Sequence, residues 1–117
     1  MMKLFDSEMK IMELVWDHEP VSAKELSLIA NEEIGWNKNT TYTMIKKAIE
    51  KGYVKREEPD FICTSLISRE EVSKSETKGL IDRLFGGSKK ALFSALLEDE
   101  ELTAEDLADL RAMIEKR

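Results

Sequence analysis

The sequence predicts a mainly α-helical, α+β chain, with a winged helix-turn-helix head and a helical tail. Three short amphipathic segments come first, two short β-type runs separated by a turn follow, and only helical spacing comes after them. The chain has 117 residues but only two prolines and five glycines, so few positions interrupt a helix. We expect a winged-helix head at residues 1–67 and a helical region at residues 68–117.

The first two helices are predicted from their caps. Asp6 or Ser7 can cap the first helix, and Pro20 follows its end. Ser22 and Glu25 have the spacing of a capping box and begin a second, shorter helix. The apolar positions that face inward are Met9, Met12, Val15 and Trp16 in the first helix, and Leu26 and Ile29 in the second.

A third helix follows the turn at residues 34–36. Asn37 or Asn39 caps it, and Gly52 supplies a left-handed stop after Lys51. Its expected buried residues are Met44, Ile45, Ala48 and Ile49. A strand at 53–57 and a returning strand at 61–64 then form the wing.

The tail is predicted to be three helices, because each segment has its own capping residue. The fourth helix runs from Ser68 to Phe85, the fifth from Ser88 to Leu97, and the sixth from Thr103 through Ile114. The glycine pair at 86–87 separates the first two of them.

Charge is distributed unevenly along the chain. The net charge is −6, but residues 35–56 carry six basic side chains against Glu50 alone. A basic block inside an acidic chain is a candidate footprint for phosphates. The alternative is that these side chains form a solvated helix face.

The first half of the third helix is the segment expected to meet base edges, since this helix of a helix-turn-helix enters the major groove. Threonine and asparagine can hydrogen-bond to bases, whereas lysine suits phosphates. Threonine is a poor helix former, so its concentration here favours binding over capping alone. The polar residues of this segment are Asn37, Lys38, Asn39, Thr40, Thr41, Tyr42, Thr43, Lys46 and Lys47.

The wing adds Lys55 and Arg56, which either reach the DNA backbone or remain solvated strand charges. Acidic residues at the wing tip would repel phosphate, so we expect a weak contribution from the wing. The predicted DNA-binding residues are Lys38, Asn39, Thr40, Thr43, Lys46, Lys47, Lys55 and Arg56.

The tail has more apolar residues than helices attached to a small head would need. Burial of each is worth about 1.5–3 kcal/mol, so a second copy of the chain is a natural cover. The alternative is packing of the tail onto its own head. The expected dimerisation residues are Leu80, Leu84, Phe85, Leu92, Phe93, Leu96, Leu107 and Leu110.

Other classes of protein are disfavoured. One cysteine and one histidine argue against a metal site, and we find no glycine-rich phosphate loop, nucleophile elbow or cofactor motif. We therefore expect no enzymatic activity and no cofactor. No apolar stretch is long enough for a membrane span and the N-terminus lacks a signal-peptide core, so a cytoplasmic location is expected.

Five parts of the sequence together form a recognisable pattern. They are 6–8 with 11–16, 35–44 (GWNKNTTYTM), 51–54 (KGYV), 84–88 (LFGGS) and 102–107 (LTAEDL). This pattern resembles the penicillinase repressors, the BlaI/MecI/CopY family of winged-helix regulators, and the resemblance covers nearly the whole chain.

This resemblance implies a homodimeric repressor that binds operator DNA with TACA/TGTA half-sites. By position it implies that Asn39, Thr40, Thr43 and Lys47 read the operator. In the β-lactam-responsive branch, a membrane sensor with a metalloprotease domain leads to repressor cleavage. The corresponding bond here is Ala95–Leu96, where the family usually has an asparagine–phenylalanine pair. The cysteine-rich motif of the copper-responsive branch is missing, so copper sensing of that kind is not expected.

Residues and resemblance together predict a dimeric DNA-binding repressor. The rival interpretation is a winged-helix module for protein–protein contact, for which an acidic chain is no obstacle. The basic third helix favours DNA.

Overall fold

The computed structural model describes residues 4–99 and 101–116. The order of its elements, with three helices interleaved with a short sheet and three more helices after it, confirms the predicted fold class. The elements are α1 (Asp6–His18), β1 (Val21–Ser22), α2 (Ala23–Ile34), α3 (Lys38–Glu50), β2 (Val54–Glu57), β3 (Ile62–Ser65), α4 (Arg69–Phe85), α5 (Lys89–Leu97) and α6 (Ala104–Glu115).

The chain divides into two compact units, residues 1–76 and residues 77–117, and the division falls within α4. Val72 in the first turn of α4 is fully buried in the core of the first unit. The functional boundary predicted at residue 68 lies at the start of this helix, and it stays a prediction.

The core of the first unit lies where α1, α2 and α3 meet the sheet. Its largest fully buried apolar side chains are Ile11, Met12, Val15, Leu26, Ile45, Val54 and Val72. Each such burial contributes about 1.5–3 kcal/mol. The predicted inward positions Met12, Val15 and Leu26 are buried. Four others are only half-buried: Met9, Trp16, Ile29 and Ile49. This core fixes the rotation of α3 about its own axis.

The sheet is antiparallel with strand order β1–β3–β2. The two-residue strand β1 was not predicted, because two residues carry no alternation to detect. Both wing strands begin one residue later than expected. Tyr53 donates its backbone N–H to Ala48 O at 2.9 Å, so it belongs to the turn after α3. Phe61 has a φ of 51°, which a strand residue does not adopt.

The predicted caps hold for most helices. Ser22, Ser68 and Ser88 each accept a backbone N–H from three residues on, and Thr103 forms a full capping box with Asp106. Asn37, one of two predicted candidates, caps α3 by accepting the Thr40 N–H at 2.8 Å.

The predicted cap of α1 was wrong. The cap position is Phe5, not Asp6 or Ser7, and the Phe5 side chain has no hydrogen-bonding atom to cap with. The Glu8 carboxylate instead accepts the Phe5 backbone N–H at 2.9 Å. The helix therefore starts where this glutamate can satisfy a free N–H group.

The same Glu8 carboxylate forms an ion pair with Lys51, which follows α3 directly. Glu8 is only 3% exposed, and burial alone would raise its pKa. The hydrogen bonds from Lys51 and from the Phe5 N–H outweigh burial, so the pKa of Glu8 lies below its usual value. The pair connects the start of α1 to the end of α3.

The Glu8→Gln variant should be less stable than the unmodified protein by about 1 kcal/mol near neutral pH. A depressed carboxyl pKa contributes stability above the unfolded value of 4.5, and this stability is lost as pH falls through the lower folded-state pKa. The difference between the two proteins should therefore shrink toward about pH 3. Urea unfolding at both pH values measures it. Glu13→Gln, an exposed carboxylate change on the same helix, is the control. An equal difference at both pH values would contradict the ion-pair role.

Candidate nucleic-acid interface

One face of α3 is buried and the other is exposed and polar. Thr41, Met44, Ile45 and Ala48 follow the three- and four-residue helical spacing and are buried against the core. The same rotation leaves the six α3 residues predicted to bind DNA exposed on the remaining surface. They are Lys38, Asn39, Thr40, Thr43, Lys46 and Lys47.

Thr41 does not belong to this surface, contrary to the sequence-based expectation. It is fully buried, and its hydroxyl donates to Asn37 O at 3.1 Å. Because the hydroxyl is paired locally, the threonine can occupy a core position. Two of the three threonines, Thr40 and Thr43, remain available for a ligand.

The start of α3 is held in place by side chain–backbone hydrogen bonds. Asn37 caps the first turn, and Asn31 of α2 donates its amide to Trp36 O at 3.1 Å. Gly35 between the helices has a φ of 71°, the left-handed conformation that glycine adopts without steric cost. The turn of the helix-turn-helix is thus fixed from both sides. The N-terminal end of the α3 dipole, which favours anions, lies beside Lys38.

The basic block separates into paired and unpaired cations. Lys51 pairs with Glu8, Lys55 pairs with Glu57 at 3.1 Å, and Arg56 pairs with Glu58. Among residues 4–99 and 101–116, Lys38, Lys46 and Lys47 have no carboxylate within salt-bridge distance. The unpaired positive charge of this block is therefore concentrated on α3.

The wing carries a contact that the sequence pattern does not indicate. Tyr42 of α3 meets Phe61 edge to face, with ring centroids 5.9 Å apart and an interplanar angle of 84°. The Arg56 guanidinium covers Phe61 at 3.6 Å, and Lys38 Nζ lies 5.8 Å from the Tyr42 centroid. The i, i+4 spacing of Lys38 and Tyr42 in the sequence indicates the contact between those two side chains. The partner, Phe61, is far away in sequence and gives no such signal.

The tail residues predicted for dimerisation differ in exposure. Leu84, Phe93, Leu96 and Leu107 are exposed, whereas Leu80, Phe85, Leu92 and Leu110 are half-buried. Within the second unit, an apolar groove of about 440 Å³ is lined by Phe93 and Leu97 of α5 and by Leu107, Leu110 and Ile114 of α6. Ala95 and Leu96, the predicted cleavage position, are both exposed near the end of α5.

The sequence profile of the family described as penicillinase repressor matches residues 4–116. The chain belongs to the penicillinase repressor family. The match spans the head and the tail, so both parts are family features.

Individual relatives are distant in sequence, but each matches this penicillinase repressor family member over more than nine tenths of its length. The methicillin resistance regulatory protein MecI of Staphylococcus aureus is 21% identical over 117 residues, covering 98% of this chain and 95% of MecI. The penicillinase repressor of Staphylococcus aureus is 24% identical, covering 92% of this chain and 87% of that protein. A 16.5 kDa protein of Latilactobacillus sakei is 26% identical over 110 residues, with coverage of 92% and 75%.

Solved structures of family members share the fold of the head. The DNA-binding domain of the repressor BlaI superposes with a TM-score of 0.54 at 22% identity, covering 59% of this chain and 87% of that domain. Monomeric Bacillus licheniformis BlaI, in complex with the blaP half-operator, gives a TM-score of 0.52 at 24% identity, with coverage of 60% and 88%. The winged-helix fold is therefore shared.

The described residues also bear on two other kinds of feature, a membrane-spanning helix and a metal site. In residues 4–99 and 101–116, no helix is both long and apolar enough to cross a membrane. Over the same residues, no group of three or more histidine, cysteine, aspartate or glutamate side chains is placed to hold a metal ion.

The single cysteine lies in a wing strand with its side chain in the core. Cys63 of β3 is fully buried, and burial raises the pKa of its thiol to about 11, although Arg56 opposes the shift. The thiolate is the reactive form, so Cys63 is a poor nucleophile in the folded protein.

A thiol reagent should modify native Cys63 at least roughly a hundredfold more slowly than the unfolded chain near pH 8, because two pKa units reduce the thiolate fraction by that factor. Absorbance of the released chromophore from a disulfide reagent measures both rates. The same protein in guanidinium chloride is the control, since the chain has one cysteine. Equal rates would show that β3 opens readily.

Proposed function

We propose that this chain is a homodimeric, cytoplasmic transcriptional repressor without catalytic activity, which binds a palindromic operator with TACA/TGTA-like half-sites. The observation that carries the proposal is the exposed face of α3, which combines hydrogen-bonding side chains with the unpaired lysines. The family relationship supports it, since relatives are named as repressors and one is in complex with a half-operator.

Residues at the start of α3 are placed to contact bases, and residues further along it are placed to contact phosphates. Thr40 and Thr43 lie one turn apart near the helix start, where side chains of a recognition helix meet base edges. Lys47 lies one turn further on, where the helix approaches the DNA backbone. Hydroxyl and methyl groups discriminate among bases, whereas an ammonium group attracts any phosphate.

Charge outside α3 limits non-specific binding. The net charge is −6, and the wing cations are paired with neighbouring glutamates. With about three or four phosphate contacts per head, a dimer should show a slope of log affinity against log salt of roughly −5 to −7. A protein-contact module would show no such slope with any duplex.

Thr43→Ala should weaken binding to the operator by about 1–3 kcal/mol and relax preference at one base position. Lys47→Ala should weaken binding to all duplexes nearly alike and flatten the salt slope by about one unit for each phosphate that is no longer neutralised. Fluorescence anisotropy with a TACA/TGTA palindrome and a scrambled duplex measures both effects.

The matched control for Lys47→Ala is Lys10→Ala, which removes an exposed lysine from α1 without touching α3. A thermal melt of each variant checks folding. If Thr43→Ala lowers the melting temperature but leaves the ratio of operator to scrambled affinity unchanged, the threonine is structural and this assignment of the interface is wrong.

Dimerisation is proposed for the tail because its helices leave large apolar side chains exposed. Phe93 is 51% exposed and Leu84 is 63% exposed, and the groove between α5 and α6 is apolar. Surfaces of this kind mark protein contacts. A two-fold dimer also presents two α3 helices to the two halves of a palindrome.

Phe93→Glu should shift the protein from dimer to monomer at micromolar concentration, because it places a charge in the proposed interface. Sedimentation velocity measures the shift, and operator affinity should fall with it. Leu28→Glu is the control: Leu28 is 64% exposed on α2, which belongs to the first unit. A Phe93→Glu protein that stays dimeric would place the interface elsewhere, and a monomeric unmodified protein would refute dimerisation.

The proposal includes relief of repression by proteolysis at Ala95–Leu96, with a membrane sensor metalloprotease system as partner. Both residues are exposed, and the bond lies in the last turn of α5. Helix ends open at low free-energy cost, so a protease can reach an extended backbone there more easily than within α4.

A further inference from the structure

A continuous series of contacts links α3 to the wing. Lys38 lies over Tyr42, the edge-to-face contact joins Tyr42 to Phe61, and the Arg56 guanidinium covers Phe61. We call these four side chains the wing bridge. Two of them come from α3, one from β2, and one from the turn before β3. Both rings are only half-buried, at the edge of the core.

Phe61 is held in a conformation that a bulky side chain avoids. Its φ of 51° lies in the left-handed region, which is sterically unfavourable for such a residue. A position of this kind persists only when surrounding contacts determine it. Here the contacts are the two ring partners and the backbone, since Phe61 O accepts the Ala23 N–H at 2.9 Å.

Arg56 keeps donors free for a ligand. Its Nε bonds to Glu58, and its terminal nitrogens have no hydrogen-bond partner in the described part of the chain. Stacking on Phe61 restricts the side chain, which reduces the entropy cost of binding a phosphate. A guanidinium with two free nitrogens is suited to phosphate oxygens.

We propose that Phe61 and Tyr42 are positioning residues for DNA binding, which hold Arg56 at a fixed place relative to the start of α3 so that wing and helix bind one duplex as a unit. The inference rests on the proposed function. Tyr42 acts through its ring and Phe61 through its ring contacts; neither touches DNA itself. Arg56 makes the phosphate contact.

A double-mutant cycle on the full-length protein tests this coupling. Arg56→Gln should lower affinity for the TACA/TGTA palindrome about tenfold. It should also reduce the magnitude of the salt slope by about two, one phosphate for each head of the dimer. Phe61→Leu should have a similar effect, because Arg56 is no longer held. The double variant should lose little more than either single variant.

Lys55→Gln provides the matched control, because Lys55 neighbours Arg56 in β2 but is not part of the wing bridge. Its effect should be the same in the unmodified protein and in the Phe61→Leu background. Phe61→Tyr and Tyr42→Phe keep the rings and should bind like the unmodified protein. Where Phe61→Leu fails to fold, as judged by a thermal melt, Tyr42→Leu takes its place in the cycle.

Losses from Arg56→Gln and Phe61→Leu that add fully would overturn the inference, because independent residues are additive. A Tyr42→Phe protein that binds as poorly as Tyr42→Leu would also overturn it, since the hydroxyl rather than the ring would then matter. If the unmodified protein binds no duplex, the proposed function fails and the inference fails with it. If it binds the palindrome but the two losses add, the inference alone fails. The two outcomes are therefore distinguishable.

Discussion

The burial of one face of α3 is the constraint on which the rest of the molecule depends. The orientation of a helix about its own axis is fixed once one of its faces is buried. In α3, burial of Met44, Ile45 and Ala48 in the core determines that orientation. Apart from buried Thr41 and half-buried Ile49, the other α3 side chains then face solvent or the wing. The polar surface is thus a consequence of hydrophobic packing, and the lysines contribute little to forming it. Changes within the core would move the surface as a whole.

Ion pairing then shapes the electrostatics of that surface. The Glu8 carboxylate and the wing glutamates pair with the three cations in the C-terminal part of the basic block and leave the lysines of α3 unpaired. Exposed pairs such as Lys55 with Glu57 contribute little stability. Their larger effect is on selectivity, because they reduce the attraction for any polyanion while the hydrogen-bonding groups of α3 remain available.

The parts of the fold that depend on local sequence were predictable. Helical spacing placed α1 to α6, and capping serines and threonines placed most helix starts within a residue. The misses have two kinds of cause. The cap of α1 and the placement of Thr41 rest on local bonds, from the Phe5 N–H to Glu8 and from the Thr41 hydroxyl to Asn37 O, which compete with the caps and exposed positions that these residue types usually favour. The wing bridge instead depends on a contact between Tyr42 and Phe61 across nineteen positions of the chain, and spacing rules carry no information about such a pair.

Phe61 shows how a short wing can keep a defined position. A hairpin of two four-residue strands is marginal in water by itself. Its turn is fixed here by three different interactions at one residue: the carbonyl bonds to the start of α2, one ring contact reaches α3, and the other holds Arg56 of β2. Because packing in the core fixes the positions of α2 and α3, these contacts also fix the position of the hairpin. These three interactions also hold the left-handed backbone of Phe61, since a bulky residue keeps that conformation only where the surrounding contacts determine it.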